Sequence, residues 1–462
     1  MEHYDAIIIG SGQGGTPLAR KLAGAGWKTL LIEKQFVGGT CINFGCTPTK
    51  TLIASAKTAY TVGHAEKWGI AVAGFQVDIQ EVMARKNEVV SGFRNRSQKG
   101  LAATDNLSLL FGQAAFEDAR TIGVQLPGGG STKISGGKIF INTGTRPQVP
   151  DIAGLEQAGY YTSANMMDLV EVPEHLMVIG GGYIGLEFGQ MYRRFGSQVT
   201  ILQHSDRFLS REDEDIAAEI QKILEAEGIK IRTGVQTRQA AKEGKDLVLT
   251  VQEKGQEEVI RGSHVLVAAG RIPNTDQLNL AAAGVDTNEK GQVVVNGKLE
   301  TSQPGIFAIG DVKGGPEFTH ISYHDHVVLG HNLLEGRQET IAGRQVPYCM
   351  FTDPPLGRVG LTEAEARKQG LDIKVATLPM GSVARAVETG DERGLMKAVV
   401  DAGTGRILGA AILGQEGGET MSLLQMAMMG GITYGQIREM IFAHPLYAEA
   451  LNSLFFKLDE TA

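Results

Sequence analysis

A doubly wound α/β architecture, written twice and followed by a smaller α+β unit, is what this sequence predicts. Three observations carry that expectation. Two glycine-rich turns follow short apolar runs at the same offset in two stretches of the chain. The length of 462 residues suits two to four domains. Beyond about residue 345 the strand–helix alternation gives way to closely spaced apolar strands.

The first stretch runs from Tyr4 through the apolar Ala6-Ile7-Ile8-Ile9 into Gly10-x-Gly12-x-x-Gly15, and Glu33 closes the next apolar run, Thr29-Leu30-Leu31-Ile32. Glycines at this spacing permit a tight turn and bring a pyrophosphate close to a helix N-terminus, while the acid accepts from ribose hydroxyls. Residues His175 to Glu187 repeat the pattern with Gly180, Gly182 and Gly185. Adding 170 to Gly10, Gly12, Gly15 and Glu33 gives Gly180, Gly182, Gly185 and Gln203. One glycine motif in a chain with 61 glycines says little, whereas two in register say much. The first site reads as one for FAD or NAD. At the second, Gln203 removes the acid that would repel a 2′-phosphate but still bonds a ribose hydroxyl, and His204 and Arg207 follow. That site reads as one for NADH or NADPH.

Cys41 and Cys46 lie just beyond the first motif and are two of only three cysteines. On an ideal helix, residues five apart lie about 8.7 Å apart between Cα atoms. A disulfide requires about 4.4–6.8 Å. If the two pair, the backbone bends, and Gly45 and Pro48 are the residues that allow it. The other readings are two unrelated buried thiols or half of a metal site, and no second cysteine pair exists to complete a zinc cage. Cys349, without a partner in sequence, reads as a small buried hydrophobe.

A net charge of −8 argues against nucleic acid or an anionic membrane surface as partner. No apolar run is long enough to span a bilayer, and a strand begins by about residue 5, which leaves no room for a signal peptide. The expected location is a reducing cytoplasm, where a thiol pair is catalytic rather than structural.

Residues 1–150 are expected to form the first dinucleotide-binding domain. It holds a helix over 78–102 and strands from 106 to 142, with glycine turns at Gly128–Gly130 and at Gly136-Gly137. The second domain spans 151–271, residues 272–344 return to complete the first, and 345–462 form the last. There Thr362-Glu363-Ala364-Glu365 predicts a capping box, and strands are expected near 372–379, 394–400 and 406–413. The Met-rich stretch Met421–Met429 reads as core or interface packing.

Taken together, these motifs resemble the class I pyridine nucleotide–disulfide oxidoreductases, the family of dihydrolipoamide dehydrogenase, glutathione reductase and mercuric reductase. Further segments carry the likeness: Thr143-Gly144-Thr145-Arg146-Pro147, Gly270-Arg271-Ile272-Pro273-Asn274, Gly310-Asp311, and His444-Pro445 followed by Glu449. The resemblance implies two Rossmann-like domains, for FAD and for NAD(P), and a C-terminal α+β dimerisation domain. It implies that hydride passes from NAD(P)H through FAD to a redox-active Cys41–Cys46 disulfide and on to an acceptor. Cys46 would lie against the flavin and Cys41 would attack the substrate. His444, oriented by Glu449 and supplied by the other subunit of a homodimer, would be the acid–base partner. Lys50 and Glu187 resemble an ion pair at the flavin's reactive edge, Tyr183 resembles an aromatic gate over the nicotinamide pocket, and Asp311 would hold the ribityl chain.

His320, His324 and His326 crowd into one short segment, and His320 and His324 share a face if the segment is helical, as a metal site requires. The resemblance instead makes His320 a flavin neighbour and turns the other two to solvent or the dimer partner, so no metal site is expected. The C-terminal segment Phe455–Ala462 lacks the second cysteine pair of well-known mercuric reductases. The likeness is greatest to a mercuric reductase-like subgroup that includes reactive-chlorine resistance flavoproteins. The expected activity is reduction of a small-molecule disulfide or a metal ion. The alternatives are a dihydrolipoamide dehydrogenase acting on lipoyl domains, and a non-catalytic flavin-binding redox sensor.

Overall fold

The computed structural model describes residues 1–460. The opening apolar run forms the strand Glu2–Ile9, in which Ala6, Ile7 and Ile8 are fully buried, and the glycine turn delivers the chain into the helix Gly15–Gly24. This strand is flanked in parallel by Thr29–Glu33 and then Leu107–Phe111 on one side, and by Ser131–Ile141 and then Ile306–Ala308 on the other. Thr29–Glu33 is buried along its whole length, as a parallel strand covered on both faces must be. Antiparallel strands Thr121–Gln125 and Gln113–Phe116 extend the sheet along the first half of Ser131–Ile141. The helix Ile79–Ala102 starts where Asp78 accepts from the backbone N–H groups of Gln80 and Glu81.

The second unit repeats the plan. His175–Ile179 lies between Gln198–Leu202 and His264–Val267, with Lys230–Arg232 and Tyr161–Thr162 outside them, all parallel. A three-stranded antiparallel sheet over Val235–Gly262 adds to it. The two units are joined by a short ribbon, Thr145–Pro147 against Arg271–Pro273. Thr143 Oγ1 donates to the Asn274 carbonyl at 2.9 Å and Asn274 Nδ2 donates back to the Thr143 carbonyl at 2.8 Å. The Thr143–Pro147 and Gly270–Asn274 segments therefore form one strap between the two units.

The C-terminal unit is an antiparallel sheet in the order Tyr348–Met350, Leu356–Gly360, Ile407–Leu413, Leu395–Asp401, Ile373–Pro379. Its core joins Ala398, Val400 and Ile412 to Leu424, Leu454 and Phe455 of the covering helices. The capping box forms: Thr362 Oγ1 accepts from Glu365 N while the Glu365 carboxylate accepts from Thr362 N. The fold is thus two Rossmann-like domains and a C-terminal α+β domain.

One local expectation changes. Gly136-Gly137 is not a turn but lies inside Ser131–Ile141, where a Cβ on Gly136 would press on Ile7 and one on Gly137 on the Asp5 carbonyl. The glycines are there for strand-to-strand approach. In the Met-rich helix Gly417–Gly430, Met421 is buried whereas Met426 and Met429 are exposed.

A buried ionic cluster ties the three units. Arg194 contacts Glu227 at 2.7 Å and Asp353 at 2.8 Å, Arg393 reaches Glu227, Asp353 and Asp391, and Lys57 reaches Asp353 at 3.0 Å. Among the described residues, no helix is long and apolar enough to cross a membrane.

Candidate active site

One cleft of about 2590 Å³ runs between the two glycine turns and past the cysteine pair. Pockets for a single drug-sized ligand run to about 1,000 Å³, so this cleft has room for more than one such molecule. The turns match at their first and third glycines. Gly10 and Gly180 have φ of +102° and +113°, and a Cβ on either would overlap a backbone carbonyl, of Asn142 or of Ala268. Gly15 and Gly185 pack against the carbonyls of Gly10 and Gly180. A Cβ on Gly182 would meet no protein atom within 4 Å, so that face of the turn admits close approach of a ligand. Ser11 N donates to Glu33 Oε2 at 3.0 Å, and Gly181 N donates to Gln203 Oε1 at 2.7 Å. Each side chain is thereby held at the end of its strand, the acid at one site and the amide at the other. His204 and Arg207 line the cleft beside Gln203.

The cysteine segment breaks as its chemistry requires. Cys41 rides the short helix Gly39–Asn43, the chain turns at Phe44-Gly45, and Cys46 opens the helix Cys46–Gly63. A Cβ on Gly45 would come within 3.0 Å of the Thr40 carbonyl, and Pro48 sits in the first turn, where its missing N–H costs nothing. Asn43 braces the turn by donating to the Val37 and Gly39 carbonyls and accepting from Arg94 Nε at 2.7 Å. Cys41 and Cys46 are free thiols in hydrogen-bond contact across this break.

Their titration is coupled. The bond from Cys41 stabilises the Cys46 thiolate most, Thr319 and the Lys50 charge add to it, and these outweigh burial to lower the Cys46 pKa to about 6. The same bond, with burial, pushes the Cys41 thiol up. The shared proton therefore rests on Cys41. Thr319 Oγ1 stands 3.3 Å from Cys46 Sγ, at the first turn of the helix Thr319–Leu334.

Lys50, one turn beyond Cys46, places Nζ 2.7 Å from Glu187 Oε2, and Glu187 Oε1 accepts from Phe351 N at 2.8 Å. Tyr183 opens the helix that carries Glu187. Thr143, Gly144, Gly270 and Arg271 line the cleft, and Arg271 Nε donates to Thr145 Oγ1 at 2.7 Å. Asp311 is also there, its pKa raised by burial, and it accepts from Thr145 Oγ1 at 3.3 Å.

The histidine segment is helical, yet its members diverge. His320 stacks on Phe318 at 5.4 Å between ring centroids, and its Nε2 meets the Pro347 carbonyl at 2.7 Å. His324 faces Arg344, and His326 is buried against Tyr323 rather than turned outward as expected. Among the described residues, no group of three or more His, Cys, Asp or Glu side chains is arranged to hold a metal ion. Cys349 is not fully buried as expected; it is half-exposed on the cleft wall.

His444 and Glu449 form their own pair, Nδ1 to Oε2 at 2.9 Å, on the exposed surface. They do not line the cleft that holds Cys41 and Cys46. Asn142, Thr319, Tyr348 and Glu212 are the site residues that sequence reasoning missed. Asn142 Nδ2 donates to the Gly10 carbonyl at 2.8 Å and braces the first glycine turn. It immediately precedes Thr143, and Thr319 immediately precedes His320, so neighbouring motifs marked both positions.

Two glycine turns and a thiol pair lining one cleft are the arrangement expected of a flavin-dependent disulfide oxidoreductase. The chain belongs to the pyridine nucleotide–disulphide oxidoreductase family: residues 4–325 match that family and residues 346–455 match its dimerisation domain. It is an enzyme using FAD and NAD(P)H. It is 41% identical over 459 residues to the probable pyridine nucleotide-disulfide oxidoreductase RclA of Escherichia coli K12, covering 98% of this chain and 99% of that one. It is 34% identical over 459 residues to a mercuric reductase of Lysinibacillus sphaericus, covering 99% and 83% of the two chains. A dihydrolipoyl dehydrogenase of Thermus scotoductus is 36% identical over 455 residues, at 98% and 96% coverage. Among solved structures, the Cu(II) complex of the HOCl-induced flavoprotein disulfide reductase RclA from E. coli superposes with a TM-score of 0.91 at 40% identity, over 99% of both chains.

Proposed function

We propose that the protein is a homodimeric NAD(P)H-dependent reductase of a small disulfide or a soft metal ion, working through Cys41 and Cys46 in a reducing cytoplasm. The observation that carries this reading is the thiol pair itself, set in one cleft with both glycine turns, with Thr319 on Cys46 and the Lys50–Glu187 pair one helical turn on. The first glycine turn, Glu33, Asp311 and the Lys50–Glu187 pair would hold FAD, which would supply two-electron transfer between the nicotinamide and the disulfide. The glycine cradle, the braced Glu33 and the size of the cleft fit that group.

The protein's own residues then divide the work. Cys41 gives up its proton to His444 of the partner subunit and attacks a substrate sulfur, and the leaving thiolate takes a proton from that imidazole. Cys46, held as thiolate by Thr319 and Lys50, attacks the Cys41 sulfur and expels the second substrate sulfur as a thiolate as the Cys41–Cys46 disulfide forms. Toward a metal ion, the same two thiolates are soft ligands. An exposed His444–Glu449 pair that misses the cleft of its own chain supports supply across the dimer. A metal-ion acceptor is favoured by likeness to proteins whose names specify mercuric reduction and a Cu(II) complex.

The test is steady-state turnover of the FAD-loaded protein with lipoamide, small disulfides and Cu(II) or Hg(II), each with NADH and NADPH. The proposal expects turnover of metal ions or small disulfides to exceed that of lipoamide. Fast lipoamide turnover in both directions would instead make it a dihydrolipoamide dehydrogenase.

A further inference from the structure

Glu212 has no role in the account above, yet it is 2% exposed and lines the cleft. Two phenols converge on one of its oxygens: Tyr183 donates to Oε1, and Tyr348 donates to the same atom at 2.7 Å. Its other oxygen, Oε2, has no hydrogen-bond partner, and the nearest cation, Arg358 Nε, stands 3.8 Å away. Burial first, and the adjacent carboxylate second, push both phenol pKa values up, so both remain donors through the physiological range.

The position of Tyr183 makes this contact consequential. Tyr183 and Glu187 are four residues apart on one helix, so they share a face and the Tyr183 ring stands one turn above the Lys50–Glu187 pair. The Tyr348 ring packs on it at 5.7 Å and stacks on Phe318 at 5.5 Å. A planar ring coming from the second glycine turn toward Lys50 has to move Tyr183, and that movement breaks a charge-assisted hydrogen bond.

We propose that Glu212 is a latch for Tyr183, a positioning residue whose carboxylate holds the ring across the nicotinamide path and lets it go when nicotinamide enters. The inference rests on the reading of Tyr183 as the nicotinamide gate. Tyr348 stays bonded to Glu212 while the gate is open, so the carboxylate keeps one partner and recaptures Tyr183 on release. The latch sets nicotinamide affinity, because the apparent dissociation constant is the intrinsic one divided by the open fraction.

The experiment is anaerobic stopped-flow reduction of the FAD-loaded homodimer over a series of NADH and NADPH concentrations. Tyr183→Phe should lower the apparent dissociation constant at least about fivefold, a larger change than in the limiting rate. Glu212→Gln, a weaker acceptor, should lower it by a smaller factor. Tyr348→Phe, which leaves the carboxylate oxygen to Tyr183 alone, should raise it. In a Tyr183→Phe background, Glu212→Gln should have no further effect, because the bond it weakens is gone. Equal effects of Glu212→Gln with and without the Tyr183 hydroxyl would assign Glu212 a merely structural role and overturn the latch. Should Glu212→Gln not fold, opposite shifts from Tyr183→Phe and Tyr348→Phe support the latch and matching shifts refute it. A wild-type flavin that neither nicotinamide reduces would take down the functional reading and the latch together. A reducible wild type with unmoved constants in the variants would sink the latch alone.

Discussion

Lys50 Nζ and Glu187 Oε2 stand 2.7 Å apart although 137 residues separate them in the chain. The contact joins the helix that begins at Cys46 to the helix that begins at the second glycine turn, and the Phe351 N–H on the other Glu187 oxygen brings in the C-terminal domain. The helix that begins at Cys46, the second glycine turn and the third domain are thereby fixed to one carboxylate.

Lys50→Met is expected to slow flavin reduction by NAD(P)H by about tenfold, the loss of one charge-assisted contact worth about 1.5 kcal/mol. It should also raise the Cys46 pKa, because the Lys50 charge is one of the groups that lowers it. Ultraviolet thiolate absorbance of the reduced protein against pH measures the second effect.

Cys41→Ala removes the largest stabiliser of the Cys46 thiolate. The Cys46 titration should move from about 6 toward the ordinary thiol value of about 8.5. Disulfide reduction should vanish while flavin content is unchanged. An unmoved titration would show that the two thiols do not share a proton.

Gln203→Glu places an acid where Glu33 stands in the first site, next to the Gly181 N–H. The KM for NADPH should rise at least about tenfold, with a smaller change for NADH, because only NADPH carries the 2′-phosphate. Parallel steady-state titrations with the two nicotinamides check it.

Arg194 is 3% exposed and serves Glu227 and Asp353 together. Arg194→Met should cost about 3–5 kcal/mol, the range for breaking a buried ion pair, and lower the melting temperature. Burial alone would raise the Asp353 pKa, but Arg194, Lys57 and Arg393 hold it well below the carboxylate range. Its stabilising contribution is therefore complete above the unfolded carboxylate value of about 4 and is lost as pH falls below it. Denaturant midpoints measured through the acid range should fall less steeply in the variant.

The sequence carried the parts of the site that act through local backbone rules. Glycine spacing disclosed both turns, the +170 repeat disclosed Gln203 as the counterpart of Glu33, and Thr362 announced its helix. What it could not carry was contact between distant segments. Thr319 reaches Cys46 across 273 residues, and Tyr348 reaches Glu212 across 136, through a packing of three domains that no local pattern encodes. Gly136-Gly137 was misread as a turn for the same reason, since the neighbouring Glu2–Ile9 strand that demands small residues is more than 120 residues away. His326 followed the same logic: its burial is set by packing around the helix, not by the polar run in which it sits.

A mixture of Cys41→Ser and His444→Ala chains tests the shared site. Refolded one to one, random dimers should regain about a quarter of wild-type turnover, since half are mixed and each mixed dimer has one intact site. Either variant alone should fall by at least about 10²-fold, the usual contribution of a positioned acid–base group. A site complete within one chain would give no recovery.

The central claim is that electrons from the nicotinamide arrive at Cys41 and Cys46. Its most direct measurement takes FAD-loaded protein whose Cys41–Cys46 pair has first been oxidised to the disulfide, reduces it anaerobically with NAD(P)H, and follows with thiol alkylation and peptide mass spectrometry. The account predicts that Cys41 and Cys46 become alkylated only after nicotinamide is added, while Cys349 labelling is unchanged. Flavin reduction without new labelling at Cys41 and Cys46 would contradict it.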